Sequence, residues 1–257
     1  MSKFISILIS AVLALCLLTV RAEAKAASLK LEPEVALGAF MGLVEDHLAG
    51  ILRTEKTIAA SSEARSARWD EVRPLLERFS KDLPTDATAW FMMPDGSYYS
   101  TAKGGLVDQN LKDRDYFPKL MAGQEVLGEL VISKSTGQRS IVVAAPVLAD
   151  GKVVAAVGVS VEVVKLAGVV DSSMTLPENV YFYALDANTK IVLHRYQARM
   201  FRTVAEVGDE SLGDAFKAMM KKERGVFNYS LNGKKMTSIF RKSPVLGWHF
   251  FIAQERK

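Results

Sequence analysis

Between Pro33 and Phe79 the large apolar residues recur at helical spacing, and beyond Phe79 they stop doing so. Leu37, Phe40, Met41, Val44, Leu48, Ile51 and Leu52 follow one another in steps of three or four with paired neighbours, the pattern of one apolar face on a long helix. Pro33 suits its first turn, where a missing N–H costs nothing. Ser61-Ser62 interrupts the run, and Trp69, Val72, Leu76 and Phe79 resume it. A helical stretch of roughly 45 residues with one such stripe must cover it against something. A coiled-coil dimer is one solution, and the sheet that follows is the one the sequence favours.

The period then changes to two. Segments 88–93 and 97–101 flank Pro94-Asp95-Gly96, and 127–133 and 139–148 flank Lys134-Ser135-Thr136-Gly137-Gln138; both read as hairpins. Ala149-Asp150-Gly151 turns into a strand over 152–163. Segment 103–125 reads as an irregular connection with a short helix over 116–122 ended by Gly123. The second half repeats the plan, with a hairpin over 180–185 and 190–194 around Asp186-Ala187-Asn188 and a helix over 209–222. A hairpin over 226–231 and 234–240 around Asn232-Gly233 and a last strand over 245–253 complete it. Trp90-Phe91-Met92-Met93-Pro94-Asp95 is echoed by Tyr181-Phe182-Tyr183-Ala184-Leu185-Asp186, and Pro146-Val147-Leu148 by Pro244-Val245-Leu246. The fold class is α+β, a long N-terminal helix followed by two tandem antiparallel-sheet modules. The expected boundaries are 25–80 for the helical region, 81–172 for the first module and 173–257 for the second.

Lys3, an apolar run over 4–20 and Ala22-Glu23-Ala24 form a signal peptide expected to be cut after Ala24,. An uncleaved membrane anchor is the alternative, because 17 residues lie at the short limit for a bilayer of about 30 Å. Cys16 is the only cysteine, so a chain cut there has no disulfide and no thiolate chemistry. The net charge of +4 comes from 33 basic and 29 acidic residues interspersed along the chain, which is no nucleic-acid footprint. His47, His194 and His249 lie on separate predicted elements without ligand spacing, so no metal site is expected. Neither a Gly-x-Ser-x-Gly elbow nor a dinucleotide or phosphate loop occurs, so the sequence indicates neither an enzyme nor a cofactor. His194, near Tyr181 and Tyr183, is either a capped strand-end histidine or part of a second pocket.

Asp113-Arg114-Asp115-Tyr116-Phe117, Thr136-Gly137, Ala145-Pro146-Val147 and Gly158-Val159-Ser160-Val161 come in that order. They are followed by Ala184-Leu185-Asp186, His194 and Gly247-Trp248. Over residues 33–253 this arrangement resembles the double Cache family of extracytoplasmic sensor domains, two PAS-like modules stacked along a long helix. The resemblance implies a small metabolite bound in the first, membrane-distal module, and signalling through a chemoreceptor, kinase or cyclase. It also places a second membrane helix where this sequence reads Gln254-Glu255-Arg256-Lys257, so a stand-alone periplasmic binding protein is expected, serving signal transduction or solute capture and presenting its ligand to a transporter or receptor. The resemblance places Arg114, Tyr116 and Phe117 on the pocket-lining segment. Ser133 and Ser160 stand where amino-acid binders carry acids, Lys134 supplies a second cation, and of Tyr98 and Tyr99 on the adjacent strand alternation lets only one face the pocket, expected to be Tyr99,. A guanidinium forks onto a carboxylate, and without an acid an α-ammonium has no counter-charge. The expected ligand is therefore a small organic carboxylate or other anion. The alternative function is a structural or interaction module whose helix forms a homodimer or docks on a membrane receptor or transporter.

Overall fold

The computed structural model describes residues 32–256 apart from residue 86; the expected signal segment lies outside these residues. Helix α1 (Pro33–Ala59) buries Leu37, Phe40, Val44, Leu48 and Ile51 as the spacing predicts, with Met41 and Leu52 half-buried beside them. It ends at a serine switch. The Ser61 hydroxyl donates to the Ile58 carbonyl at 2.7 Å and accepts from the Ala64 amide at 3.2 Å, closing one helix and capping the next. After α2 (Ser62–Arg65), helix α3 (Trp69–Asp82) restores the stripe with Trp69, Val72, Leu76 and Phe79 buried.

Two antiparallel sheets follow. The first holds β1 (Thr88–Met92), β2 (Ser97–Ser100), β3 (Gly105–Asn110), β4 (Val126–Ile132), β5 (Arg139–Ala149) and β6 (Lys152–Glu162) in the order β3-β2-β1-β6-β5-β4, with helix α4 (Phe117–Met121) between β3 and β4. Helix α5 (Val163–Met174) leads out of β6. The second sheet holds β7 (Val180–Leu185), β8 (Ile191–His194), β9 (Arg224–Leu231), β10 (Lys234–Lys242) and β11 (His249–Glu255) in the order β8-β7-β11-β10-β9. Helices α6 (Val204–Val207) and α7 (Glu210–Met219) connect β8 to β9. The class is α+β, as the sequence indicates.

Three elements differ from the expectation. Strand β3 lies inside the stretch read as irregular: only Val107 of its six residues is buried, so the edge strand has no alternation to betray it. Helix α5 begins at Val163, where the sequence suggests the end of a strand. The preceding run of Val and Ala is apolar on both faces, which hides the onset of the helical set Val163, Leu166, Ala167 and Val170,. The last strand starts at His249 rather than 245, because Ser243 to Trp248 is a tight turn with Gly247 at φ +71°.

The helices and both sheets share one core. Phe40 of α1 packs against Phe182 and Phe250 of the second sheet, with ring centroids 5.1 and 4.9 Å apart. Trp69 of α3 stacks on Tyr99 of the first sheet at 5.3 Å. Alternation along each strand then gives the sheets a second face. In the first sheet Ala89, Phe91, Val157 and Val159 point to the helices, whereas Trp90, Met92, Val142 and Ala156 belong to a separate cluster with Tyr98, Tyr116 and Leu120. The cleft lies on this second face.

Candidate functional site

Three pieces of chain close a cleft over the outer face of the first sheet. The sheet contributes Trp90, Tyr98, Val131 and Ser160; the segment after β3 contributes Leu111, Arg114 and Tyr116; the β4–β5 turn contributes Ser133, Lys134 and Ser135. The indole of Trp90 lies flat over Gly158, its direct partner on β6, so close that a Cβ at Gly158 would stand 2.1 Å from the ring. Only glycine permits that approach. The indole N–H donates to Ser160 Oγ at 3.3 Å, and Tyr116 stacks near-parallel to the indole at 6.1 Å. Tyr98 Oη and Ser135 Oγ are 3.1 Å apart. Burial pushes the Tyr98 and Tyr116 hydroxyls above the ordinary tyrosine range, so both are neutral donors at physiological pH.

Arg114 is fixed by its backbone, whose amide donates to the Leu111 carbonyl at 3.0 Å and whose carbonyl accepts from the Phe117 amide at 2.9 Å. Its Nη2 donates to the Ile132 carbonyl at 2.7 Å, while its Nε is buried without a partner. The neighbouring acid is engaged elsewhere. Asp113 pairs with Lys134 Nζ at 2.6 Å, and that ammonium also donates to the Asn110 carbonyl at 2.6 Å. The hydrogen bond from Lys134 holds the Asp113 carboxyl below its usual range. Among the described residues no acidic side chain lines the cleft. A half-buried guanidinium with one orphaned N–H, whose neighbouring acid is hydrogen-bonded to Lys134, is a site for an acceptor,. The cleft is narrow, about 10 Å³, the room a single water needs.

Arg114, Tyr116, Ser133, Lys134 and Ser160 line this one cleft, and two of the expected residues do not. Tyr99 points to the helical core and stacks on Trp69; Tyr98 takes the cleft position, because the alternation of β2 runs in the opposite phase to the one expected,. Phe117 is half-buried against the apolar cluster behind the cleft and does not line it. Lys134 lines the cleft with its charge already spent on Asp113. Trp90 and Ser135 were not indicated by the sequence as site residues, and Tyr98 only as the alternative to Tyr99. The signal that could have found Trp90 was Gly158, a glycine in the middle of an otherwise Val/Ala strand, which marks a close approach.

A helix-braced pair of antiparallel sheets with a polar-aromatic cleft on the first is the build of a ligand-sensing module. The family model for the Cache domain, in its double form, matches residues 34–257, and the chain belongs to that family. Double Cache domains are extracytoplasmic sensor domains. The methyl-accepting chemotaxis protein TlpA of Bacillus subtilis is 23% identical over 219 residues, covering 79% of this chain and 30% of that protein; the chain thus spans under a third of this curated relative. Among solved structures, the ligand-binding domain of the Pseudomonas aeruginosa amino-acid chemoreceptor PctB in complex with L-Arg superposes with a TM-score of 0.69 at 16% identity, covering 87% of this chain and 93% of that one. The sensor domain of the Vibrio cholerae histidine kinase DctB gives 0.65 at 16% identity, covering 87% and 96%. Among the described residues no group of three or more His, Cys, Asp or Glu is arranged to hold a metal ion.

Proposed function

We propose that the chain is a non-enzymatic sensor module on the outer side of a membrane whose first cleft binds a small organic carboxylate. The observation that carries this is Arg114, half-buried, with an unpartnered Nε, in a lining that holds no acid among the described residues. PctB binds L-Arg and CtaA of Pseudomonas fluorescens binds L-isoleucine. In this chain the polar groups beside the guanidinium are the hydroxyls of Ser133, Ser135, Ser160 and Tyr98, which can hold a carboxylate or hydroxyl but not neutralise an ammonium. A plain or hydroxylated carboxylate fits that inventory better than an α-amino acid. The narrowness of the cleft implies that the 111–122 segment shifts outward to admit it. The signal then passes to a membrane receptor or transporter. The alternative, an interaction module acting through its helix, has little surface to use: Val35 and Leu43 are the large apolar residues that α1 exposes among the described residues.

Thermal-shift screening of the purified chain over organic acids, amino acids and amines tests the reading. A ligand at a thousand times its Kd adds about 4 kcal/mol to stability, an upward shift of several degrees. Arg114→Ala is expected to abolish the shift from the best acid while leaving the unliganded melting temperature within a few degrees. A shift that survives in Arg114→Ala, or a screen in which only amines score, overturns the assignment.

A further inference from the structure

The second sheet carries a larger cleft than the first. Its wall is a column of rings: Tyr181 against Tyr196 at 5.4 Å, Tyr196 against His194 at 5.6 Å, and His194 against Tyr183 at 5.7 Å. Tyr229 closes it from β9, its hydroxyl 3.2 Å from that of Tyr183. The polar part holds about 220 Å³, against about 10 Å³ in the first cleft, and shares Tyr183, His194, Arg199, Tyr229 and Leu231 with a small apolar lobe reaching Leu185, Ile191 and Phe216. Among the described residues no acid lines either part.

The histidine and the arginine at its centre are mismatched as they stand. His194 Nδ1 lies 2.8 Å from the backbone N–H of Tyr196, and His194 Nε2 lies 3.2 Å from Arg199 Nη1. Both neighbours are donors, and an imidazole that has lost one proton accepts at only one nitrogen. The ring is neutral, because burial and the Arg199 charge push its pKa down to about 3. The 2.8 Å contact has the geometry of an ordinary hydrogen bond, so Nδ1 accepts and Nε2 carries the proton. The Nε2–H and the guanidinium N–H then face each other across 3.2 Å, two donors without an acceptor. Arg199 makes no ion pair among the described residues; its Cζ also lies over the Tyr196 ring, 5.3 Å from the centroid.

We propose that the second module is itself a binding site for a small amphipathic monocarboxylate, whose carboxylate accepts from both Arg199 and His194 Nε2–H and whose hydrocarbon part enters the apolar lobe. A carboxylate supplies two adjacent acceptor oxygens and one negative charge, the group that removes both defects together. Lys234 at the rim is committed to Glu255 at 2.8 Å and does not compete for it. The proposal is independent of the reading of the first cleft.

Calorimetric titration of the chain with isovalerate, benzoate and phenylacetate, each beside its uncharged carboxamide, tests it. At least one acid is expected to bind at least about tenfold more tightly than its amide. Arg199→Gln should weaken that binding by about tenfold or more. Binding that survives unchanged in Arg199→Gln overturns the proposal, as does the absence of binding by all three acids. Should Arg199→Gln unfold the ring column, nitrogen-15 NMR of the wild-type histidines decides: saturating acid must move the His194 Nε2 resonance, and an unmoved resonance rejects the site.

Discussion

Glu55 has the least expected position of any ionisable residue in the described chain. It lies on the core side of α1, fully buried, and neither carboxylate oxygen has a hydrogen-bond partner. Burial raises its pKa well above the ordinary glutamate value, so the folded chain holds a proton there that the unfolded chain releases. Between the unfolded and the folded pKa the native state binds one more proton, and its stability falls as pH rises, by about 1.4 kcal/mol per pH unit. Burial lowers the pKa values of His47, His194 and His249, which gives the opposite slope below the ordinary histidine value. The informative quantity is therefore the difference between wild type and Glu55→Met. That difference should grow with pH from the glutamate range upward and reach about 1 to 3 kcal/mol in favour of the variant at neutral pH, since an unsatisfied carboxyl is exchanged for an unbranched apolar chain. Denaturant melts of both proteins across pH 4 to 8 measure it, and parallel profiles would reject the assignment of a buried, protonated Glu55.

At the scale of elements the first cleft depends on the register between β1 and β6. Trp90 faces Gly158, and its indole occupies the volume that any side chain at 158 would need. Gly158→Ala should lift the indole, break its hydrogen bond to Ser160 and separate it from Tyr116, at a cost of about 1 to 3 kcal/mol. Ligand affinity should fall with it, although residue 158 itself carries no recognising group. Trp90 fluorescence reports the displacement; an unchanged emission maximum together with unchanged binding would show that the ring does not form the floor of the site. The same register explains what the sequence could convey. Arg114, Ser133 and Ser160 were readable because their segments come in the family's order, and α1 because its stripe is long. The face on which Tyr98 and Tyr99 lie was not readable: alternation states that they differ but not which one meets the helices, and Trp69 decided that from 30 residues upstream by stacking on Tyr99. Strand β3 was hidden by its exposure and α5 by an apolar run without a visible change of period. The sequence grouped His194 with Tyr181 and Tyr183 as a strand-end histidine or part of a second pocket, whereas the places of Tyr196 and Tyr229 and the mismatch with Arg199 exist only in three dimensions.

For the whole molecule the question is whether two sheets with two clefts act as one body. Helix α1 packs on β5 and β6 of the first sheet and on β10 and β11 of the second, and its buried residues belong to a core cluster that draws on both. A direct tie adds to this: Arg139, at the start of β5, donates to the Met200 carbonyl at 3.1 Å and lies over the Phe201 ring. The turn that lines the first cleft is thus joined to the neighbour of Arg199 in the second. One shared core predicts one cooperative transition. Phe40 is the sharpest place to test it, because its ring packs on Phe182 and Phe250 and not on the first sheet's rings. Phe40→Ala should cost about 3 to 5 kcal/mol. If the core is continuous, the loss lowers the unfolding midpoint of the first sheet, reported by Trp90, by as much as that of the second, reported by Trp248. Single-tryptophan versions, each retaining one of the two with Trp69 replaced by Phe, separate the reports in urea. Coincident midpoints that move together support a single rigid sensor body, in which a ligand at one sheet stabilises the other. A Trp90 midpoint that stays in place while the Trp248 midpoint falls would mean that the two modules unfold, and respond to ligands, independently.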